Sequence, residues 1–177
     1  MTYEVVDNFL EKESLEKLQD LILGSATNGY FGWNIITEVA DTYNSNEEYY
    51  NPEIENQLWN WYGVHMIYNT LPNSPYFDDV LNIFRDKWEL KSLMRIKANF
   101  YPYTSEVKEH AKHKDYKFNH KAAVFSLNTC DGFTRMSNGD KVDSVENRIV
   151  FFDGSEYHNS STTSNAKGRY NINFNYF

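Results

Sequence analysis

The chain has 177 residues and a formal net charge of −8, with 41% hydrophobic and 17% aromatic residues, among them 14 Tyr and 12 Phe. That length suits one domain with a substantial core, and the aromatic content favours an ordered, strand-rich fold over disorder. The acidic balance weighs against a protein that binds by neutralising phosphates, which needs clustered Lys and Arg, so nucleic acid is not an expected partner. Cys130 is the only cysteine and can form no internal disulfide. The opening MTYEVVDNFLEKES lacks a basic n-region and an apolar h-region, and no apolar run approaches the roughly 18 residues of a membrane span. The expectation is a single domain over 1–177, with no membrane partner, in a reducing, cytoplasmic setting and with its oligomeric state left open.

In chain order, Tyr3 to Val6 reads as a short strand. Glu11 to Leu23 reads as a helix with Leu15, Leu18 and Ile22 on one stripe and Gly24 as its stop. Trp33 to Val39 looks extended, and the polar DTYNSNEEYYNPE that follows has a loop's composition and can serve as a lid. The aromatic stretch QLWNWYGVHMIY either walls a substrate site or, with Trp59 and Trp61, packs a helix or strand junction. Ser74 as N-cap and Pro75 at the first helical position signal a second helix, with Phe77, Val80, Leu81, Phe84 and Trp88 at helical spacing. Residues 1–92 thus form a helical N-terminal part expected to cover a sheet.

From Leu93 the pattern changes to eight strand candidates: LMRIKANFY, the HKD segment, AAVFSLN, FTRM, KVDSV, RIVFFD, YHNSS and RYNINFNYF. Asp131-Gly132, Asn138-Gly139-Asp140, Asp153-Gly154 and Asn165 to Gly168 punctuate them as turns. Eight short strands at this spacing predict a mainly β fold with flanking helices (α+β), its core over 93–177 an antiparallel jelly roll, or double-stranded β-helix, with an interior able to hold a small ligand. Alternation puts Arg169, Asn171, Asn173 and Asn175 on one side of the last strand and Tyr170, Ile172, Phe174 and Tyr176 on the other. The first core strand does the same, with Arg95, Lys97, Asn99 and Tyr101 opposite Ile96, Ala98 and Phe100. Either the polar faces line a site while helices cover the apolar ones, or they simply meet solvent, as antiparallel sheets often do.

His113, Asp115 and His158 are the residues with the most chemistry to offer. In an extended segment His113 and Asp115 leave the same face, and two imidazoles with one carboxylate can hold one face of an iron(II) ion and leave the other open. The surrounding KEHAKHKDYK is charged, and a solvated loop is the ordinary account of such a run. His65, His110 and His120 compete as ligands. Only His113 makes His-x-Asp, and His110 and His120 are expected to be solvated or near the site mouth.

The order His113-x-Asp115, then His158 after RIVFFDG, then Arg169 in KGRYNINF resembles the 2-oxoglutarate/iron(II)-dependent dioxygenases over about 93–177, and most of all their prolyl-4-hydroxylase-like branch. AAVFSLN followed by DGFTRM is similar to that family's strand and G-G-x-T turn, with Asp131 in place of the first glycine. The resemblance implies Fe(II) held by His113, Asp115 and His158, with 2-oxoglutarate and O2 as co-substrates and Arg169 on the far carboxylate. Asn171 stands where the family's R-x-S element has serine, which puts the second carboxylate contact in doubt. Asn99 and Tyr101 resemble the Asn-x-Tyr of the alkylation-repair branch, which contacts 2-oxoglutarate.

What the resemblance implies is a hydroxylase of a protein or peptide side chain, with a small-molecule substrate close behind. A nucleic-acid-dealkylating member of the same family and a non-catalytic metal-binding jelly-roll module are the alternatives.

Overall fold

The computed structural model describes residues 3–24, 31–39 and 51–177. Its elements in chain order are β1 (Glu4–Val6), α1 (Lys12–Leu23), β2 (Asn34–Ile36), α2 (Pro52–Glu55), β3 (Tyr62–Asn69), β4 (Leu71–Pro72) and α3 (Phe77–Phe84). There follow β5 (Leu93–Pro102), β6 (Lys121–Ser126), β7 (Phe133–Arg135), β8 (Lys141–Asp143), β9 (Arg148–Asp153), β10 (Asn159–Ser160) and β11 (Gly168–Tyr176). The strands build two antiparallel sheets. The larger has eight strands in the order β1-β9-β6-β11-β5-β3-β2, with β4 on β3, and the smaller runs β10-β7-β8. The segment around 108–113 extends the small sheet by backbone bonds from His110 N to Ser160 O at 3.0 Å and from Thr162 N to Lys108 O at 2.9 Å. This is the jelly roll that the strand spacing predicts.

Each strand of the large sheet serves two environments because its side chains alternate. Ile96 and Ala98 of β5, Ala123 and Phe125 of β6, Ile149 of β9, and Ile172 and Phe174 of β11 all face outward. They form one buried cluster with Leu15, Leu18 and Ile22 of α1 and Val80 and Phe84 of α3. The helices therefore cover the apolar face, and the polar set of β5 and β11 turns inward toward the small sheet. Ala122, Val124, Val150 and Phe152 meet Met136 and Val142 across the sandwich and close it at its other side.

Several local expectations are corrected. The second helix begins after Tyr76, which makes no side-chain cap bond, instead of after Ser74. The Ser74 hydroxyl is engaged by His65 Nε2 at 2.7 Å and by the Tyr76 N–H at 3.2 Å, which holds a turn ahead of the helix. That helix ends at Phe84, and Trp88 reaches the same cluster from beyond it, with ring centroids 5.2 Å apart from Phe174. The N-terminal part is not only helical, because the aromatic segment contributes β3, which pairs with β5 from Gly63 opposite Phe100 to Asn69 opposite Arg95. The HKD segment forms no regular strand and joins the small sheet through isolated bridges only. Gly24 does follow α1; its φ of −63° is ordinary, and glycine is needed because a Cβ there would lie 1.9 Å from the Asp20 carbonyl oxygen. Of the proposed lid, residues 41–50 lie outside the described residues, and Pro52–Glu55 forms a single turn capped by the Asn51 side chain. Among the described residues no helix is long and apolar enough to cross a membrane.

Phe84 lies at the centre of the outer cluster, fully buried, 4.8 Å from Phe174 and 5.2 Å from Phe125 by ring centroids. Phe84→Ala is expected to cost about 3–5 kcal/mol of unfolding free energy, because neighbouring strands cannot collapse into the vacated volume. Chemical denaturation followed by tryptophan fluorescence measures it, and a loss below about 1 kcal/mol would contradict this packing.

Candidate metal centre

His113 and His158 are brought together by the backbone. They are directly opposed in an antiparallel bridge and exchange both hydrogen bonds, His113 N to His158 O at 2.9 Å and His158 N to His113 O at 3.0 Å. Their ring centroids are 4.5 Å apart. Asp115, two residues on, is anchored by its own N–H to the Gly154 carbonyl at 3.1 Å. One ligand atom from each of His113, Asp115 and His158 lies within 4.8 Å of the other two, with His158 Nε2 3.9 Å from Asp115 Oδ2. His158 Nδ1 donates to the Glu156 carbonyl at 3.0 Å, which turns Nε2 toward the Asp115 carboxylate. His113 Nδ1 is buried without a hydrogen-bond partner.

Asp115 is held from behind by three side chains. Arg95 Nη2 donates to Oδ1 at 2.6 Å, and the amides of Asn175 and Asn173 donate to Oδ2 at 2.8 and 3.3 Å. Burial acts to raise its pKa, but Arg95, then the two imidazoles and Lys97, outweigh it and keep the carboxyl well below the usual carboxylate range. Burial, and next the neighbouring His158, lowers His113 to about 3, so its imidazole is neutral at physiological pH. A neutral imidazole and an ionised carboxylate are the forms that bind metal, and the donor set fits a divalent transition ion such as iron(II).

Arg169 lies on the same inner face and is 1% exposed. Its donors meet only neutral acceptors: Thr134 Oγ1 at 2.8 Å, Ser144 Oγ at 3.3 Å and the Ser161 carbonyl at 3.4 Å. The Tyr101 ring lies 5.4 Å from its central carbon. No carboxylate pairs with it among the described residues, although burying a cation is costly unless it is paired. Such a guanidinium suits an incoming carboxylate, which it can hold through two charge-assisted bonds. Gly132 makes room for it, since a Cβ there would sit 2.7 Å from Arg169 Cδ. Asp131, at the position of the other expected glycine, accepts from Thr163 Oγ1 at 2.7 Å and Ser164 N at 2.8 Å and so fixes the turn leading to β11. Asn99 and Asn171, paired in register across β5 and β11, are bonded to each other, Nδ2 to Oδ1 at 2.9 Å.

No protein-family model and no curated protein matches the sequence. Solved structures do match the fold. A Pseudomonas putida prolyl-4-hydroxylase superposes with a TM-score of 0.64 at 14% identity, over 98% of this chain and 91% of that one. A Burkholderia pseudomallei oxidoreductase of the 2OG-Fe(II) oxygenase family gives 0.64 at 12% identity over 98% and 83%. A Trichoplax adhaerens prolyl hydroxylase, in complex with a hypoxia inducible factor oxygen degradation domain peptide fragment, gives 0.62 at 12% over 99% and 83%. The chain shares the fold of these oxygenases.

Within that fold the remaining histidines are structural. His65 stands apart from the triad, with Nδ1 2.6 Å from the Gly32 carbonyl and its ring 4.0 Å from Phe31. His110 and His120, expected near solvent, are 2% and 5% exposed. His110 lies between Tyr101 and Trp59, with ring centroids at 5.2 and 5.7 Å, and its Nδ1 meets Ser160 Oγ at 2.9 Å. His120 Nε2 lies 3.2 Å from the Asn175 amide that supports Asp115. The roles of Arg95, Asn173 and Asn175 are not assigned by the sequence alone, although the polar parity of their strands already marks them.

Burial, with Arg169 next in weight, lowers His110 to about 3. The folded imidazole therefore stays neutral down to about pH 3, while the unfolded one takes up a proton near its ordinary value of about 6.5. Across that window the unfolded chain binds more protons, so unfolding free energy falls with falling pH, by at most about 1.4 kcal/mol per pH unit for this residue. In metal-free protein, His110→Gln should flatten the decline measured by denaturation between about pH 7 and pH 5. Identical slopes for variant and wild type would contradict a neutral, buried His110.

Proposed function

We propose that this chain is a single-domain oxygenase dependent on iron(II) and 2-oxoglutarate, hydroxylating a protein or peptide side chain in the manner of the prolyl hydroxylases whose fold it shares. One observation carries the reading: a His-Asp-His triad and a buried guanidinium without a carboxylate partner both face the interior between the two sheets. His113, Asp115 and His158 would hold the iron, and Arg169 with Thr134 would take the far carboxylate of 2-oxoglutarate. Tyr101, Asn99 and Asn171 would line the floor between them. Bound iron supplies activation of O2, so that 2-oxoglutarate, O2 and a substrate C–H yield succinate, carbon dioxide and C–OH.

The protein's own part is positioning and exclusion. Arg95, Asn173 and Asn175 fix the carboxylate plane of Asp115, and the Glu156 carbonyl fixes the His158 ring. The Tyr101 and Tyr62 rings, stacked with centroids 5.7 Å apart, would shield the site from bulk water. The peptide bound by the Trichoplax enzyme supports a peptide substrate here. A small-molecule substrate remains the second reading, supported by the cationic residues Arg95, Lys97 and Arg169 of the inner face.

Purified protein with iron(II), 2-oxoglutarate and air is expected to release succinate even without a primary substrate. Asp115→Ala should lose iron affinity and turnover together, because removing the carboxylate also leaves Arg95 unpaired. Retained iron-dependent succinate release in that variant would falsify the ligand assignment. Arg169→Met should raise the 2-oxoglutarate concentration needed for half-maximal succinate release by roughly 10- to 100-fold, the worth of a charge-assisted pair. An unchanged requirement would move the far carboxylate elsewhere.

A further inference from the structure

We infer that the primary substrate presents a carboxylate to Lys97, beside the metal ligands. This rests on the oxygenase reading of the same pocket and narrows its substrate class. Lys97 projects from the inner face of β5, between Arg95 and Asn99 in the alternation, opposite Asn173 on one neighbouring strand and Met66 on the other. It is half-buried. Its amine makes no hydrogen bond or ion pair among the described residues, and Nζ lies over the Tyr62 ring, 5.5 Å from the centroid. Its register partner Asn173 donates to Asp115 at 3.3 Å, so Lys97 stands beside the support of a metal ligand.

The charges of the inner face leave Lys97 over. Arg95 is satisfied by Asp115 at 2.6 Å, and Arg169 is the anchor assigned to 2-oxoglutarate. A divalent ion and a dianionic co-substrate cancel, so two side-chain cations still exceed the anions of the loaded pocket. A half-buried ammonium near a metal ion gains most from an anion, because opposite charges attract more strongly where water is partly excluded. This cationic lining belongs to a chain whose formal net charge is −8, so it is a local feature of the pocket. Tyr62 stacks on Tyr101, whose ring lies beneath Arg169, so one aromatic wall runs from the Lys97 amine to the 2-oxoglutarate anchor. A substrate carboxylate on Lys97 would hold the neighbouring carbon toward the triad. That carboxylate can belong to a free amino acid or to an acidic side chain in a peptide.

The test is calorimetric binding to protein loaded anaerobically with iron(II) and 2-oxoglutarate. One pair of probes is N-acetyl-L-glutamate against N-acetyl-L-glutaminamide, which has no carboxylate; the other is a short peptide with both ends blocked and a single central Glu against its Gln counterpart. The acid of at least one pair should bind roughly tenfold or more tighter than its amide, about the worth of one charge-assisted contact. Lys97→Met should abolish the preference, and Lys97→Arg should keep it. A preference confined to the first pair identifies a free acid, and one confined to the second identifies a peptide. Equal binding of acid and amide by the wild type, or a preference that survives in Lys97→Met, overturns the inference. So does a Lys97→Met variant that loses 2-oxoglutarate instead. Succinate release by the wild type, recorded in parallel, reports on the oxygenase separately: succinate without an acid preference sinks only the Lys97 assignment, and a preference without succinate sinks the oxygenase.

Discussion

The paired hydrogen bonds between the backbones of His113 and His158 are the constraint on which the site depends. Forty-five residues separate the two along the chain, and neither lies in a long strand; the bridge between them is a short continuation of the small sheet. Because each N–H meets the other residue's carbonyl, the two side chains must leave the same face at nearly the same height, and the rings meet at 4.5 Å. Asp115 follows from the same geometry, since a residue two positions on in an extended chain projects to the same side. A slip of one residue in this pairing would turn one imidazole outward and leave no triad.

The large sheet makes that arrangement stable by giving its strands two unlike faces. Outside, α1 and α3 bury the Ile, Ala and Phe of β5, β6, β9 and β11 in one aromatic-rich cluster. Inside, β5 and β11 carry Arg95, Asn99, Arg169, Asn171, Asn173 and Asn175, most of them almost fully buried. Buried amides are costly unless bonded; here their N–H groups bond across the register or to Asp115, while Asn99 Oδ1 and Asn175 Oδ1 are buried without a partner. The apolar exterior supplies the stability that lets the interior remain polar.

Much of this was legible in the sequence, and the exceptions have physical causes. The alternation in RYNINFNY and RIKANFY already separates the inner from the outer face, and His-x-Asp, His158 and Arg169 stand out for their chemistry. β3 was hidden because its register shifts between Met66 and Tyr68, which breaks the two-residue period that marks a strand. Ser74 looked like a helix cap, but His65, remote from it in pattern, takes its hydroxyl. His110 sat in a charged run with a solvated composition; its burial comes from Tyr101 and Trp59, which only the fold brings near. The partners of Asp115 were visible as a polar stripe, yet which of them would reach the carboxylate depended on strand order.

Arg95 gives Asp115 a character that the ligand set alone does not. A carboxylate shared between a guanidinium and two amides offers fewer free lone pairs and a fixed plane, so it can lend a metal one oxygen in one orientation. Arg95 also draws charge from the carboxylate, which weakens its attraction for a metal ion, while the imidazoles of His113 and His158 are the other two donors. The pocket is thereby cationic before any ligand enters, and on the proposed reading it would gain most from anions: the far end of a diacid on Arg169 and a second acidic group toward Lys97. Electrostatics on the inner face, set by residues of β5 and β11, select the chemistry of what binds; the bridge between His113 and His158 selects where it reacts.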